Sequence, residues 1–465
     1  MKILHYLPGL PLVMQGGMIK YALDLVRVES QADHEVIMLV PGHFTHFHKD
    51  NIRIIKANWN GKECYRIINS LPVSGGKGVT GNSEFTRRGN RDVYVRFLEK
   101  MQPDIIHIHS FMGMHVAFLE AAAQLGIPIV YTTHDYYGIC PKAILLNNME
   151  QCEVVDGSRC AFCIDKTISI KRLKWKQSIL YEKLKNNSII NFFENSQIFV
   201  PMKIYIETQL KNIRKKKVIL GNASNNVSQD EDYKAIQKYY KEMFGYVTKF
   251  HFNSMQSEEM FSHYLGRIEG DVIPISNINV IDRRKKRNFG KTLKIGFIGR
   301  GAYKGFDLLK DALDGLYKEG LRDFECHIYF NSKEKLPSYF MKHEPYKESA
   351  MDQLYDSMDI LVLPSIWRET FGLVVLEALS YGVPVIVSEN VGAKEWVEKY
   401  NNVGIIVKST KASLQKALEN VYCNRDIVKR MNLEICNCEM ELTFEKHVCK
   451  ILEMYQTVSF KSKSG

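Results

Sequence analysis

Two glutamates eight residues apart stand out in the segment 365–387, SIWRETFGLVVLEALSYGVPVIV. Glu369 ends a loop that follows a predicted strand, and Glu377 lies inside an otherwise apolar helix. A carboxylate in apolar surroundings is costly unless hydrogen-bond donors satisfy it, and the paired hydroxyls of a ribose would do so. The start of that helix favours an anion or a sugar oxygen, through the backbone N–H groups of Thr370, Phe371 and Gly372. The alternative is one exposed loop glutamate and one glutamate in a structural ion pair.

A glycine-rich turn, Gly299 to Gly305 (GRGAYKG), follows another predicted strand. Its spacing is one residue longer than the dinucleotide-binding pattern, so the glycines alone are a weak signal. Arg300 and Lys304 lie in this turn, at the strand end where open α/β sheets bind ligands. Two cations there suit a diphosphate, and the alternative is a turn with two solvated basic residues. A second glycine pair, Gly16-Gly17, precedes the first predicted helix and would let the backbone approach a ligand closely.

The strands and helices that would position these residues alternate in the same way in two halves of the chain. In residues 1–135 and again in 291–407, short apolar runs alternate with amphipathic helices, which indicates parallel sheets with helices on both faces. The strands predicted in the first half are 2–7, 35–40, 104–109 and 128–133, with helices at 17–28 and 117–125. Those in the second half are 293–298, 325–330, 359–363, 383–387 and 404–407, with helices at 307–316 and 371–381. We therefore predict an α/β chain with two doubly wound, Rossmann-like domains.

These features together resemble glycosyltransferase family 4, whose members have the GT-B fold. The resemblance is carried by the Arg300/Lys304 turn, the early Gly-Gly pair, the two Rossmann-like halves and the Glu369–Glu377 pair within RETFGLVVLEALSYGVPVI. It covers most of the chain and is firmest over residues 291–390. It implies two domains that face each other across a cleft, as in bacterial polysaccharide and lipopolysaccharide enzymes. It further implies sugar transfer from a nucleotide-sugar donor with retained anomeric configuration, and no cofactor in catalysis.

The resemblance also implies a role for each residue of the donor site. Arg300 and Lys304 would hold the donor diphosphate, while Glu369 would hydrogen-bond the donor sugar and Glu377 the nucleotide ribose. The remaining donor-site residues would be Gly16, Gly17, Thr370, Phe371, Gly372 and Leu373. The two cations and the helix start would ease departure of the anionic diphosphate. Front-face attack, with the leaving phosphate taking the acceptor proton, is the mechanism that this resemblance suggests.

The histidine candidates lie at strand ends of the first domain. His134, in TTHDYYGICP, matches the catalytic histidine of the resembled family, and a neutral imidazole there could accept a hydrogen bond from the sugar or the acceptor. His107 and His109 end the preceding predicted strand, and their side chains share one face because strand side chains alternate. His109 is nearer the strand end, so it is the candidate for acceptor binding.

The domain boundaries follow from the same assignment. The predicted acceptor-binding domain spans residues 1–285 and contains a Cys-rich and helical insertion at about 136–280. The predicted nucleotide-sugar-binding domain spans residues 291–440, after a basic linker. Residues 441–465 are predicted to be a C-terminal helix and tail.

Four of the ten cysteines are bunched directly after His134, with the spacing C-x11-C-x7-C-x2-C. They are Cys140, Cys152, Cys160 and Cys163, and a similar stretch occurs in a subset of the resembled bacterial transferases. Four thiolates ending in a CxxC pair fit a structural zinc ion. Reduced buried thiols and disulfides stay open as alternatives.

Charge and hydropathy indicate which classes of partner this chain can have. The net charge is +11, from 63 basic and 52 acidic residues, which suits an anionic partner. The basic residues cluster in three places without a recognisable nucleic-acid-reading module, so we expect no nucleic acid partner. No apolar run reaches the ~18 residues of a spanning helix and no signal peptide is apparent, so we expect a cytoplasmic protein. The basic segment 171–185 predicts an amphipathic helix, with Leu173, Leu180 and Leu184 in one stripe, that could contact the inner face of a membrane.

Three functions are compatible with these residues. The first is a retaining glycosyltransferase that uses a nucleotide-sugar donor and a glycan or lipid-linked acceptor in cell-surface polysaccharide synthesis. The second is a nucleotide-sugar epimerase of the GT-B fold, which would form no new glycosidic bond. The third is a non-catalytic protein that binds sugar nucleotides or glycans.

Overall fold

The computed structural model describes residues 1–463 apart from 12–13, 15, 46–50, 76–77, 79–82, 156–158, 161–162, 165–169, 187–225, 300, 333 and 346–347. The described residues form two α/β units, each built on its own sheet, and a short two-stranded hairpin. Both large sheets are formed by buried apolar runs, and the amphipathic stretches between them form helices on the sheet faces. The predicted α/β fold with two doubly wound domains is confirmed.

The first sheet has eight strands in the order β10-β9-β6-β5-β1-β2-β4-β3, and all its pairings are parallel except β3 with β4. The strands are β1 (Lys2–Tyr6), β2 (Glu35–Pro41), β3 (Arg53–Trp59), β4 (Lys62–Ile68), β5 (Ile105–Ile108), β6 (Ile129–Thr132), β9 (Lys249–Phe252) and β10 (Gly270–Val272). The hairpin of β7 (Leu146–Asn147) and β8 (Glu150–Gln151) lies outside this sheet.

The sequence analysis missed the β3–β4 hairpin. β3 is the edge strand and is mostly exposed, so it lacks the buried apolar run that marks the central strands. The hairpin turns at Asn60 and Gly61, which both have positive φ angles of 51° and 76°. An Asn-Gly pair between two strand-like runs is the sequence signal that would have located it.

The second sheet has six parallel strands in the order β13-β12-β11-β14-β15-β16. They are β11 (Leu293–Phe297), β12 (Phe324–Ile328), β13 (Phe340–Lys342), β14 (Ile360–Leu363), β15 (Val385–Ser388) and β16 (Gly404–Val407). Five of these six are the strands predicted from the apolar runs. β13 was not predicted. It has three residues and lies at the edge of the sheet, and because only Phe340 is buried, the sequence shows no apolar run there.

Helices cover the faces of both sheets. Those of the first unit are α1 (Gly17–Gln31), α2 (Arg91–Met101), α3 (Val116–Gln124), α4 (Ile170–Lys176), α5 (Ile179–Asn186), α6 (Asn226–Phe244) and α7 (Met255–Leu265). The later ones are α8 (Phe306–Lys318), α9 (Met351–Asp356), α10 (Leu373–Ser380), α11 (Lys394–Lys399), α12 (Lys411–Cys423), α13 (Asp426–Asn437) and α14 (Phe444–Lys463). None of the described helices is both long enough and apolar enough to cross a bilayer.

The last helix, α14, packs in a core to which both units contribute. Successive side chains of β1 point to opposite faces, so Leu4 joins the core under α2 and α3 whereas Ile3 joins a second core. That second core also contains Val448 and Tyr455 of α14, together with Val375 of the second unit. The chain therefore returns at its C-terminal end to pack on the first sheet, close to the strand ends where the predicted histidines lie.

The predicted amphipathic helix at 171–185 is two helices instead of one. α4 ends at Lys176, and the Ser178 hydroxyl donates to the carbonyl of Trp175 at 2.7 Å, which begins a new turn before α5. Leu173 is buried in the first core, whereas Leu180 is 54% exposed. The predicted single apolar stripe is therefore wrong, because the break turns the two leucines to different surroundings.

Candidate active site

Both large sheets have a point where the strand order reverses. In the second sheet the chain runs outward from β11 to β13 and then returns to place β14 on the other side of β11. In the first sheet β1 lies between β2 and β5 in the same way. The crevice beyond the carboxyl ends of such a strand pair is the usual ligand site of an open α/β sheet. The predicted functional residues follow these strands.

Lys304 and Glu369 meet at the switch point of the second sheet. Lys304 Nζ forms a salt bridge with Glu369 Oε1 and lies 5.3 Å from the centre of the Trp367 ring. The Ser365 hydroxyl donates to Glu369 Oε2 at 2.7 Å, so both carboxylate oxygens have donors. Glu369 is 6% exposed, which makes these donors necessary for a charged group. Arg300, predicted to act beside Lys304, lies outside the described residues.

Gly305 brings the Lys304 turn against the end of β14. Its φ angle is +83°, and a Cβ atom there would lie 2.0 Å from the carbonyl oxygen of Pro364. Only glycine tolerates both the left-handed backbone and this close approach. The glycine-rich turn therefore serves to pack two neighbouring strand ends together, which holds Lys304 beside Glu369.

Glu377 is a buried member of α10 with protein partners on both oxygens. The Asn277 side-chain amide donates to Oε1 at 3.0 Å, and the Tyr355 hydroxyl donates to Oε2 at 2.9 Å. Thr370 and Phe371, which precede α10, are also buried. Gly372 has a φ angle of +100° at the N-cap, as expected of a glycine that opens a helix without a side-chain cap.

The two units touch across the cleft at the predicted residues. The Thr370 hydroxyl donates to the backbone carbonyl oxygen of His134 at 2.8 Å. The carbonyl of Thr370 in turn accepts from the Ser254 hydroxyl at 2.6 Å. A Cβ atom on Gly17, at the start of α1, would lie 3.7 Å from Leu373 Cδ1. The starts of α1 and α10 therefore face each other, with exposed Gly16 beside them.

His109 lies behind His134 instead of on an open surface. His109 is 1% exposed, and its Nδ1 is 3.1 Å from His134 Nε2. The centre of its ring lies 4.3 Å from that of His107, at a tilt of 34°, as the shared strand face predicts. Burial lowers the pKa of His109 well below its usual range and that of His134 to about 3. Both rings are therefore neutral at physiological pH. The Tyr21 ring, which the sequence analysis missed, lies 5.0 Å from the His134 ring.

The four bunched cysteines line one cavity of about 390 Å³. All four are free thiols, and desolvation raises the pKa of Cys152 to about 11 and also raises that of Cys140. Within the described part of the chain, no three of these sulfurs lie within 4.8 Å of one another. The structure thus gathers the predicted thiols at one place without setting them at the spacing of ligands around one ion.

The cysteine-rich segment also contacts the loop that leads to Glu369. The Gln151 side chain donates to the carbonyl oxygen of Ile366 at 3.1 Å, and Glu153 forms a 2.7 Å salt bridge with Arg368. Between these contacts lies Trp367, whose ring faces Lys304. The segment therefore braces one wall of the candidate site.

The sequence analysis also missed four residues that lie at the site or behind it. Ser365 and Trp367 stand only a few positions from Glu369, and nothing local distinguishes them from other loop residues. His5 is an imidazole inside the apolar run of β1, and Glu29 is a fully buried carboxylate on α1. A polar residue within a buried element is a usable signal, since it needs a partner.

Comparison with known families matches both halves of the chain. Residues 15–151 match the model "Glycosyltransferase Family 4", and residues 280–434 match "Glycosyl transferases group 1". The second match contains the glycine-rich turn and both predicted glutamates. The first contains the early glycine pair and the strand ends with His109 and His134.

Similar proteins span 80% or more of the chain. HepE of Anabaena, solved in complex with UDP and glucose, has a TM-score of 0.56 at 13% identity and covers 98% of this chain and 99% of its own. WaaG, a glycosyltransferase involved in lipopolysaccharide biosynthesis, has a TM-score of 0.52 at 11% identity over 96% of this chain and 98% of its own. An uncharacterized 41.2 kDa protein in the cps region of Klebsiella pneumoniae is 20% identical over 80% of this chain and 82% of its own. The chain is thus a glycosyltransferase of the GT-B fold, with a Family 4 region followed by a group 1 region.

Proposed function

We propose that this glycosyltransferase moves a sugar, with retained anomeric configuration, from a nucleotide-sugar donor to a glycan or lipid-linked acceptor in cell-surface polysaccharide synthesis. The observation that carries the proposal is the meeting of Lys304 and Glu369 at the switch point of the second sheet, opposite the strand end that bears His134. A cation and a carboxylate at one ligand-binding edge suit a ligand with a phosphate end and a hydroxyl-rich end.

The donor would replace contacts that the protein now makes with itself. A diphosphate would take Lys304 from Glu369, which frees the carboxylate to accept hydrogen bonds from sugar hydroxyls. Glu377 is proposed to bind the ribose, in exchange for its contact with Asn277 or Tyr355. The N-terminal end of α10, with the backbone of Thr370 to Leu373, would favour the developing charge of the departing diphosphate.

His134 is proposed to contact the reacting sugar or the acceptor. Burial lowers its pKa to about 3, so at neutral pH it is an uncharged imidazole that can accept one hydrogen bond and donate another. Its carbonyl already bonds to the loop before α10, which keeps the residue at the cleft between the two units.

The proposed role in cell-surface polysaccharide synthesis rests on the descriptions of similar proteins. The Klebsiella relative is named for its position in a cps region, and WaaG is described as involved in lipopolysaccharide biosynthesis. HepE was solved with UDP and glucose, which supports a nucleotide-sugar donor for this chain as well.

A peripheral membrane contact would suit a lipid-linked acceptor. Trp175, Ile179 and Leu180 are 46%, 43% and 54% exposed around the break between α4 and α5. Lysines flank them on both sides in the sequence. Exposed apolar and aromatic side chains among basic residues favour an anionic bilayer surface. We propose that this patch lies on the inner face of the membrane.

A structural zinc ion is proposed for the cavity lined by Cys140, Cys152, Cys160 and Cys163. The donor set of four thiols fits zinc, and the four sulfurs would have to move closer together to bind one ion. Such an ion would stiffen the segment that bears Gln151 and Glu153, and through it the Trp367 loop. It would take no part in the transfer step.

The proposed reaction is tested with a panel of nucleotide sugars and lipid-linked or glycan acceptors. The expected result is one donor that yields a new glycosidic bond, whose anomeric configuration by NMR equals that of the donor. Lys310→Ala serves as the matched control for Lys304→Ala. Lys310 belongs to the same unit and pairs with Asp314 of α8 and with Glu334, which follows that helix in the chain. An inverted product would contradict retention, and equal activity in the two lysine variants would contradict the donor site.

A further inference from the structure

A line of four side chains leads from the core of the first unit to the candidate site. Glu29 Oε2 lies 2.6 Å from His5 Nε2, and His5 Nδ1 lies 3.1 Å from His109 Nε2. His109 Nδ1 then lies 3.1 Å from His134 Nε2. β1, β5 and β6 are neighbours in the sheet, so the three rings follow one another along its carboxyl edge. We refer to Glu29, His5, His109 and His134 as the histidine line.

The direction of each hydrogen bond in the histidine line follows from its buried end. We take Glu29 as a carboxylate, which can only accept, and His5 as a neutral imidazole, which then donates through Nε2–H and accepts through Nδ1. A neutral His109 must then donate its Nε2–H to His5, which leaves its Nδ1 to accept from His134. His134 donates through Nε2–H, and its Nδ1 keeps a lone pair. No residue in the described part of the chain forms a hydrogen bond with that Nδ1.

A metal ion is the competing explanation for these rings. His5, His107 and His109 place ligand atoms within 4.8 Å of one another. However, His107 Nε2 lies 2.6 Å from the Thr132 hydroxyl, and its Nδ1 lies 2.5 Å from the Tyr455 hydroxyl. Both nitrogens of His107 are therefore engaged. The geometry favours a hydrogen-bonded line over a three-histidine metal site.

We propose that Glu29, His5 and His109 are positioning residues that hold His134 as the Nε2-protonated tautomer, so that its Nδ1 accepts a hydrogen bond from a hydroxyl of the bound sugar or acceptor. The proposal rests on the proposed function, in which His134 contacts the reacting molecules. The opposite tautomer would present an N–H at Nδ1 and could not accept that hydroxyl proton. The buried carboxylate of Glu29 thus selects, through two rings, which nitrogen of His134 is basic.

The tautomer can be read directly in the full chain without substrate. Long-range ¹H–¹⁵N correlation spectra of protein labelled with ¹⁵N-histidine distinguish a protonated ring nitrogen from a bare one. We expect His134, assigned by its loss in His134→Gln, to show a bare Nδ1 and a protonated Nε2 at neutral pH. A protonated Nδ1 would overturn the proposal. This measurement needs no activity, so it can fail or succeed independently of the proposed function.

Glu29→Gln tests whether Glu29, at the buried end of the histidine line, sets the direction of the hydrogen bonds along it. The amide can present either its oxygen or its N–H group to His5, so the line loses its fixed direction while the side-chain size is kept. We expect His134 to populate both tautomers and kcat to fall by about tenfold or more, with the donor KM within about twofold. A loss in donor hydrolysis by water as well would identify the donor sugar as the source of the hydroxyl, and a loss in transfer alone would identify the acceptor.

His115→Gln is the matched control, because His115 is a buried histidine of the same unit that bonds to Tyr94 at 2.7 Å outside the histidine line. It should leave the His134 spectrum and kcat unchanged, even if it lowers the thermal midpoint. His109→Phe has no acceptor for the His134 Nε2–H group, so it provides a second test in case Glu29→Gln folds poorly. An unchanged His134 spectrum in a folded Glu29→Gln protein would refute the role of Glu29.

Discussion

The Thr370 hydroxyl donates a 2.8 Å hydrogen bond to the backbone carbonyl oxygen of His134, although 236 residues separate them in the chain. Thr370 directly follows Glu369, so this bond joins the proposed sugar-binding loop of one unit to the proposed catalytic histidine of the other. This contact, together with the Ser254–Thr370 bond, fixes the position of His134 relative to the proposed donor site.

Lys304→Ala should weaken use of the donor strongly. A charge-assisted bond to a phosphate contributes about 1.5–3 kcal/mol, which corresponds to a loss of roughly 10- to 150-fold in kcat/KM. The variant also leaves Glu369 without its cation, so steady-state kinetics should be read together with a thermal unfolding midpoint. Wild-type kcat/KM in a folded Lys304→Ala protein would remove the diphosphate role of this lysine.

Glu377→Gln should raise the donor KM by about tenfold, since an amide is a poorer acceptor for two ribose hydroxyls than a carboxylate. Tyr355→Phe is the matched control, because it removes one protein partner of Glu377 and keeps the carboxylate. If Glu377 were only structural, both variants would lower the unfolding midpoint and neither would change donor affinity. Isothermal titration with the donor nucleotide separates these outcomes.

The purified chain should contain about one zinc ion, as expected of a single four-thiolate site. Cys160→Ser should lose this zinc, whereas Cys423→Ser, an exposed cysteine on α12, should keep it. Loss of zinc should raise the donor KM as well, because the segment contacts the loop at Ile366 and Arg368. Elemental analysis without zinc, together with four titratable thiols in this segment, would end the zinc proposal.

Stability should fall as the pH drops below about 6.5. Burial lowers the pKa of His115 and His134 to about 3 and that of His251 to about 4, so the unfolded chain binds more protons between these values and about 6.5. Each such histidine lowers the free energy of unfolding by up to about 1.4 kcal/mol for each pH unit in that window. Urea unfolding at pH 7.5, 6 and 5 measures this slope.

His115→Gln should make that slope shallower, because one of the buried histidines then no longer binds a proton on unfolding. A free energy of unfolding that stayed constant from pH 7.5 to pH 5 would contradict the neutral, buried state of these rings.

The protein should float with anionic liposomes at low salt and separate from them at high salt. Replacing Lys171, Arg172, Lys174 and Lys176 with Gln should abolish flotation, since each basic side chain near such a surface contributes about 1 kcal/mol. Trp175→Ala with Leu180→Ala should weaken it, whereas Ile281→Ala, an exposed apolar residue elsewhere, should not. Equal flotation of the wild type and all these variants would show that this segment does not contact the membrane.

Local patterns in the sequence determined the architecture and the parts of the donor site that lie close together in the chain. Apolar runs ending at glycine or proline predicted the central strands, because a strand buried on both faces leaves an unbroken apolar signature. The Glu369–Glu377 spacing and the Lys304 turn could likewise be read directly, since a loop and the helix after it are local structures. The exposed edge strand β3 carried no such signature, although Asn60-Gly61 marked its turn.

Only the tertiary structure decided which of these residues meet. The order of strands places β11 beside β14, and this brings Lys304 against Glu369 across 65 residues of chain. The order β6-β5-β1 likewise sets His134, His109 and His5 in one line, and α1 adds Glu29 at its buried end. Periodicity reports which face of an element is buried, but it does not report which element covers that face. The tautomer of His134 is therefore a property of the assembled sheet, because it depends on a carboxylate that no local pattern connects to it.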